Sequence, residues 1–395
     1  MPPKQIRSNP HAVFAGMAGV FLVIGLTVVV LPTSLRKTVE ARAAPSYEIP
    51  RVEQAVPHVV RAGTPTASRL AVAARVAYQT WKAAYVVSAG HGTLRVVRPQ
   101  NQNDTVSEGI GYGMLLAVAH HDLRTFSGLW RYAERFSDAH GLMNWNISAS
   151  GRIIGTGSAT DADEDMAYAL LLAHREWPGH GFGALARQHI QALLAFDVSA
   201  HNRILPGDSW GKTSVMNPSY IAPAYYQSFA TFTGNTRWNT VARVNMQWLL
   251  AHANPSTGLL PDWLDANGTP ASVVGDPYSN DWSYNAVRVP WRLWMAAADG
   301  NPTARHILRT EGRWLSRLGS PLTSGYTLSG QPLTTYQSGP FVSAAAFMGQ
   351  FAQAAVERTT LAQLVRWTPR TYYGASLRAL ALTTLAGELA PGNSE

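Results

Sequence analysis

Two segments place carboxylates at the start of apolar helical sequence, a setting suited to proton transfer by side chains. The first is Ser107-Glu108-Gly109-Ile110-Gly111-Tyr112-Gly113-Met114. Glu108 stands at a helix entrance among apolar neighbours, and such surroundings raise a carboxyl pKa and suit a proton donor. Ser107 is the expected N-cap. Each of the three following glycines costs about 1 kcal/mol relative to alanine in a helix interior. That cost is tolerable where a ligand or a second helix comes close to the backbone. The second segment is Ala159-Thr160-Asp161-Ala162-Asp163-Glu164-Asp165-Met166, continuing into an apolar helix. Acidic residues favour a helix N-terminus, but that effect accounts for two carboxylates rather than four. The Asp161-x-Asp163-x-Asp165 alternation opens like a calcium loop, yet the required glycine and distal glutamate are absent.

The elements that must position these carboxylates read as helices. Phe182, Leu185, Ala186, Ile190, Leu193 and Leu194 follow three-and-four spacing, as do Trp238, Val241, Val244 and Trp248. Further helices are expected over 69–83, 108–121, 164–176, 284–298, 304–318, 341–357 and 376–389. Some, such as Ala344-Ala345-Ala346-Phe347-Met348, are apolar or small on nearly every side, which implies an inner layer covered by outer helices. Alternating Val/Ile strands are scarce, so the expected fold is all-α, built of helical hairpins. The loops between helices carry indoles beside polar groups: Asn144-Trp145, Asp208-Ser209-Trp210 and Asp262-Trp263-Leu264-Asp265. A sugar ring has an apolar C–H face and a hydroxyl rim, so flat aromatics next to Asp, Asn and Arg form its complement. Any single loop tryptophan is as well explained as a lid on the core; the set points to a carbohydrate groove.

Composition narrows the classes. The 395 residues are 46% hydrophobic and 14% charged with no cysteine, which excludes a disordered chain, a disulfide framework and a thiolate metal site. Of the net charge of +8, residues 1–44 hold +4, and the remainder shows no Lys/Arg cluster, so no nucleic-acid partner is expected. Lys4 and Arg7 precede the apolar run Ala12–Leu31, followed by Arg36, Lys37 and Ala41-Arg42-Ala43. As a helix this run is about 30 Å long, enough to span a bilayer. Residues 1–44 are therefore read as a signal peptide or a retained membrane anchor, and both place the body outside the cytoplasm. Residues 45–67, with four prolines, read as a linker, and 68–395 as one catalytic domain expected to act as a monomer. No motif calls for a metal or organic cofactor.

Taken in order, these motifs resemble glycoside hydrolase family 8, inverting endo-glycanases that include cellulases, lichenases, chitosanases and xylanases. The run from Ala159 to Trp177 is similar to that family's signature along its whole length, and Ser107–Met114 to the segment bearing its proton donor. Asn217-Pro218-Ser219-Tyr220, Tyr284-Asn285-Ala286-Val287-Arg288-Val289-Pro290-Trp291-Arg292 and Tyr372-Tyr373-Gly374-Ala375-Ser376-Leu377 follow in the expected order. The resemblance spans residues 68–390 and implies an (α/α)6 barrel.

It also implies roles. Glu108 is the general acid, and Asp161 holds the distorted sugar beside the cleaved bond. Tyr220 and Arg288 hydrogen-bond near the reacting centre, with Tyr284 and Asn285 beside them. Trp145 and Trp210 match aromatic subsite positions, whereas Asp163 and Asp165 serve the helix start. An inverting enzyme needs a base about 6.5–9.5 Å from the acid, with room for water between. Many family members carry that base as Asp where this chain has Asn285, and an amide has no useful basicity. The preceding segment offers Asp262, Asp265, Asp276 and Asp281. Asp276 and Asp281 rank first on proximity, Asp281 ahead. The implied reaction is endo-cleavage of a β-1,4-glucan such as cellulose, with mixed-linkage glucan, chitosan or xylan as alternatives. Asn285 also admits a glycan-binding protein that kept the barrel and lost its base, which retention of Glu108 opposes.

Overall fold

The computed structural model describes residues 65–209, 215–273, 275–318 and 321–389. The expected leader, nearly all of the linker, and Trp210 lie outside them. None of the described helices is long and apolar enough to cross a membrane.

Twelve α-helices occur among the described residues. They are α1 (Pro65–Tyr85), α2 (Ser107–Ala119), α3 (Leu123–Arg135), α4 (Thr160–Glu176), α5 (Phe182–Phe196) and α6 (Pro223–Thr233), then α7 (Arg237–His252), α8 (Val289–Ala298), α9 (Pro302–Arg317), α10 (Gly339–Gly349), α11 (Ala354–Arg366) and α12 (Tyr372–Leu385). The even-numbered helices form a closed ring: α2 packs on α4, α4 on α6, α6 on α8, α8 on α10, α10 on α12, and α12 on α2. Each odd-numbered helix covers that ring from outside, α3 on α2, α5 on α4, and so on to α1 on α12. Sequence dictates the sorting. Every residue of α10, and every residue of α2 except Glu108, is buried, so these helices have no face for water. In α3, by contrast, Phe126, Leu129, Trp130 and Ala133 make one buried stripe while Arg124, Arg131 and Glu134 face solvent.

Glycines let the inner helices approach. A Cβ on Gly111 would lie 2.9 Å from both the Ala162 carbonyl oxygen and the Asp165 Cβ on α4. One on Gly113 would meet Leu129 Cδ1 at 2.6 Å. These two glycines of the Glu108 segment therefore serve helix packing.

Because the helices alternate in direction, every outer-to-inner connection falls at one end of the barrel. All of them but the short α11–α12 link are long, and the first four carry the short β pairs. β1 (Val86–Ser88) pairs with β2 (Leu94–Val96), β3 (Thr105–Val106) with β4 (Asn146–Ile147), β4 with β5 (Ile153–Gly155), and β6 (Val215–Met216) with β7 (Leu264–Asp265), all antiparallel. The inner helices begin at this end.

Several sequence expectations are corrected. The helix expected over 284–298 starts at Val289, with Pro290 in its first turn, where a missing N–H is harmless. Tyr284 and Asn285 precede it, and Ala286–Arg288 is a 3-10 turn. The stretch 341–357 breaks after Gly349 and resumes as α11. Helix α3 was not expected, although its stripe and the Asp122 cap on Thr125 N–H (3.0 Å) were readable. α1 begins at Pro65, ahead of the domain start expected at 68. Ser107 is not the N-cap: Val106 is, without a side-chain bond, and Ser107 is the first helical residue.

Gly111→Ala tests the packing role. Alanine gains about 1 kcal/mol of helix propensity, but the carbonyl it meets is backbone and cannot turn aside. Overpacking of about 1–3 kcal/mol wins, so urea denaturation is expected to show a net loss of stability.

Candidate active site

The Asp161–Asp165 segment opens α4, and the connection before it is stapled in place. Thr160 Oγ1 donates to the Leu205 carbonyl (2.7 Å), Ser158 N–H donates to Asp208 Oδ1 (2.8 Å), and Asp208 N–H donates back to Ser158 Oγ (2.7 Å). The four carboxylates then point four ways. Asp161 pairs with Arg288. Asp163 accepts from Met143 N–H (3.1 Å) and lies 3.1 Å from His189 Nε2. Glu164 accepts from Tyr226 Oη (2.7 Å), and Asp165 receives both Nη1 and Nη2 of Arg292 (2.6 and 3.0 Å). Asp163 lies in the first turn of α4 as expected and also binds the outer helix through His189, whereas Asp165 lies past that turn and binds the inner α8 through Arg292. All four are buried.

Arg288 organises the reacting end. Its side chain is 2% exposed. Nη1 donates to Glu108 Oε2 (3.1 Å), to Tyr112 Oη (3.5 Å) and to Asp161. Nη2 donates to Asn285 Oδ1 (3.2 Å), and the guanidinium lies 5.5 Å from the Tyr220 ring centre. Glu108 is 20% exposed at its side chain and opens on a cavity of about 920 Å³. Burial pushes its pKa up to about 7; Arg288 opposes that rise and the Asp161 charge adds to it. Tyr372 presses its hydroxyl on the same turn, 2.7 Å from where a Cβ on Gly109 would sit.

The cavity is also lined by Arg98, Asp262, Asp276, Tyr278, Tyr284, Asn285, Tyr336, Trp367, Tyr372 and Tyr373. Asn285 connects Arg288 to one of the cavity's charged groups, Asp276. The Asn285 Oδ1 accepts from Asn217 Nδ2 (3.1 Å) and Arg288, which leaves the NH2 end toward Asp276 Oδ2 at 3.4 Å. Burial raises the Asp276 pKa, and hydrogen bonds from Tyr278 N–H, Asn285 and Trp263 pull against the rise. Asp262 is buried and receives Ser283 N–H (3.0 Å) and Ala286 N–H (2.6 Å) on one oxygen, so it holds the turn that presents Asn285.

Of the residues singled out in the sequence, Glu108, Asp262, Asp276, Tyr284 and Asn285 line this cavity, while Asp161 and Tyr220 gather on Arg288, which bonds Glu108. Asp281 does not line it. Its backbone carbonyl instead accepts Asp262 N–H (2.8 Å), and its carboxylate is half-exposed outside the cavity, so the order of the two loop aspartates reverses. Trp145 is half-buried against Gly155 and lines no part of the cavity. Arg98, Tyr336, Trp367, Tyr372 and Tyr373 were not singled out as site residues. The Tyr-Tyr pair before an apolar helix was a readable signal; Arg98, locked to Asp104 at 2.5 Å, gave none.

A carboxyl of raised pKa and a second acidic side chain on one cavity, walled by aromatics at the mouth of a helical barrel, are the parts a glycoside hydrolase uses. The chain belongs to the glycosyl hydrolases family 8, whose model matches residues 60–386. It is 40% identical to Endoglucanase 2 of Ruminiclostridium josui over 78% of this chain and 70% of that protein. It is 38% identical to Endoglucanase A of Acetivibrio thermocellus over 78% of this chain and 68% of that one. Among solved structures, an apo beta-1,3-1,4-glucanase from Paenibacillus sp. X4 matches at TM-score 0.77 and 26% identity, covering 83% of this chain and 94% of the other. A family 8 xylanase from Teredinibacter turnerae shares the fold, with TM-score 0.75 at 20% identity over 84% and 96% of the two chains.

Arg288→Met leaves Asp161 buried without its cation. Breaking a buried pair from one side costs about 3–5 kcal/mol, and urea unfolding at neutral pH is expected to show a loss of that order.

Proposed function

We propose that the chain is an endo-acting hydrolase of β-1,4-glucan that works with inversion, using Glu108 as general acid and Asp276 as general base. The observation that carries this reading is the shared cavity: a carboxyl raised to about 7 and a second, more accessible carboxylate line it together. In this mechanism Glu108 gives its proton to the leaving glycosidic oxygen. Asp276 takes a proton from water, which attacks the opposite face of the anomeric carbon. Asp161 and Tyr220 hold the sugar at the cleaved bond. Arg288 faces the Glu108 carboxylate left after proton transfer and offsets its charge. Asn285 fixes Asp276: with Oδ1 held by two donors, only its NH2 can turn to the aspartate. The names of the endoglucanase relatives support the glucan substrate, and the leader sequence supports action outside the cytoplasm.

Three measurements on soluble β-1,4-glucan test the assignment. Glu108→Gln is expected to lower kcat by about 10²–10⁴-fold, and Asp276→Asn similarly, whereas Asp281→Asn changes it little. Loss of activity on Asp281→Asn with retention on Asp276→Asn would reverse the choice of base.

The pH profile follows from the same pair. Glu108 must be protonated, so kcat/KM falls as pH rises through about 7. Asp276 must be ionised, so activity falls again on the acid side, above the ordinary aspartate range because its pKa is raised. A profile flat from pH 5 to 9 contradicts the assignment.

If no β-glycan is cleaved while oligosaccharides still bind, the chain is a glycan-binding relative instead. Asn285 at the usual base position is the feature favouring that outcome.

A further inference from the structure

The cavity has a second wall that hydrolysis does not use. It is built from residues 336–340 and 366–374, and its only charged side chains are Arg366 and Arg370. The surrounding sequence sharpens this: from Arg358 to Gly387 the chain has four arginines and no Asp or Glu. Two of the four are occupied or distant from the wall. Arg378 donates to the Leu364 and Val365 carbonyls (3.0 and 2.7 Å), and Arg358 does not line the cavity. Arg366 and Arg370 are exposed, and neither has a hydrogen-bond or ion-pair partner among the described residues. Arg98, on the same cavity, is neutralised by Asp104.

Position on a helix explains only one of them. Arg366 ends α11, where a cation is favourable. Arg370 lies beyond the helix, in the link to α12, where no dipole calls for it. Between them stands Trp367, half-buried, its Nε1 3.1 Å from where a Cβ on Gly339 would sit. The wall therefore offers a braced indole and two guanidiniums that have no partner among the described residues. An indole takes the apolar face of a sugar ring. Guanidiniums hydrogen-bond hydroxyls, but their planar fork matches carboxylate and phosphate oxygens far better.

We propose that this wall selects a glycan carrying anionic substituents, a uronate-type carboxylate or an ester-linked phosphate, with Trp367 stacking on a ring and Arg366 and Arg370 holding the charge. The proposal rests on the glycan-hydrolase reading above and specifies its substrate class.

The test compares β-1,4-gluco-oligosaccharides of equal length that are neutral, C6-oxidised to carboxylate, or C6-phosphorylated. The wild type is expected to show a higher kcat/KM on at least one charged form than on the neutral one. That preference should shrink as salt rises, since exposed charges are screened. In R366Q/R370Q the charged-to-neutral ratio is expected to fall about tenfold; the arm that loses more identifies carboxylate or phosphate. An unchanged ratio in the double variant, or a neutral preference in the wild type at low salt, overturns the proposal. If no oligosaccharide is cleaved, the hydrolase reading fails by itself, and the same ratio is read from dissociation constants measured by calorimetry.

Discussion

Two parallel ion pairs across the barrel interior fix the geometry on which the site depends. Asp161 and Asp165 lie four apart on α4; Arg288 and Arg292 lie four apart at the start of α8 and within it. One helical turn separates the members on each side, so the pairs form two rungs between helices on different sides of the ring. Both rungs are buried, and each charge there demands its partner. In the lower rung Arg292 binds Asp165 through both Nη atoms and also donates to Tyr225 Oη (3.1 Å). In the upper rung Arg288 binds Asp161 and also donates to Glu108 and Asn285. The candidate site is built on the upper rung of this ladder.

That arrangement explains why Glu108 is both buried and poised. An apolar helix with no exposed residue but Glu108 raises the carboxyl, and Arg288 limits how far it rises. Without the arginine, burial would hold the proton too tightly; without burial, the arginine would strip it. The Asp161 charge partly cancels the Arg288 field, so the three groups set one value between them. Gly111 of α2 allows this by letting α4 and its carboxylates come close to the helix that carries Glu108.

The sequence made inner helices such as α2 and α10 legible, because helices without a polar face have one place to go, whereas the inner helix α6 is not among the expected ones. It made Glu108 legible because a carboxylate among glycines and apolar residues has few structural uses. The meaning of the four-carboxylate run was partly hidden. Helix-dipole reasoning accounts for two of them, whereas the structure uses Asp163 and Asp165 as long-range partners of His189 and Arg292. Those partners are distant in sequence, and no local pattern pairs them. The two loop aspartates are placed differently from their order along the chain for a related reason. Asp281 is nearer to Asn285 in sequence, but the turn at 276–281 folds Asp276 back onto the amide and leaves Asp281 outside. Chain proximity measures the length of the tether and not the direction of the side chain.

Asn285 stands where the family resemblance leads one to expect an aspartate, and its surroundings supply a physical reason for an amide. Glu108, Asp262 and Asp276 already line the cavity, with Asp161 on the Arg288 that bonds Glu108. A fourth carboxylate at 285 would stand 3.4 Å or closer to Asp276 and would raise one of the two pKa values sharply. The amide avoids this. It accepts from Asn217 and Arg288 on one end and donates to Asp276 on the other, joining the acid's cation to the outer carboxylate without adding charge. In the proposed mechanism the base therefore sits one hydrogen bond further out than residue 285, on a loop rather than at a helix entrance. A carboxylate so placed depends on the amide for its direction. The same Asn285 that argues against catalysis in the bare sequence donates in three dimensions to Asp276, and in the proposed mechanism that bond is what directs the base.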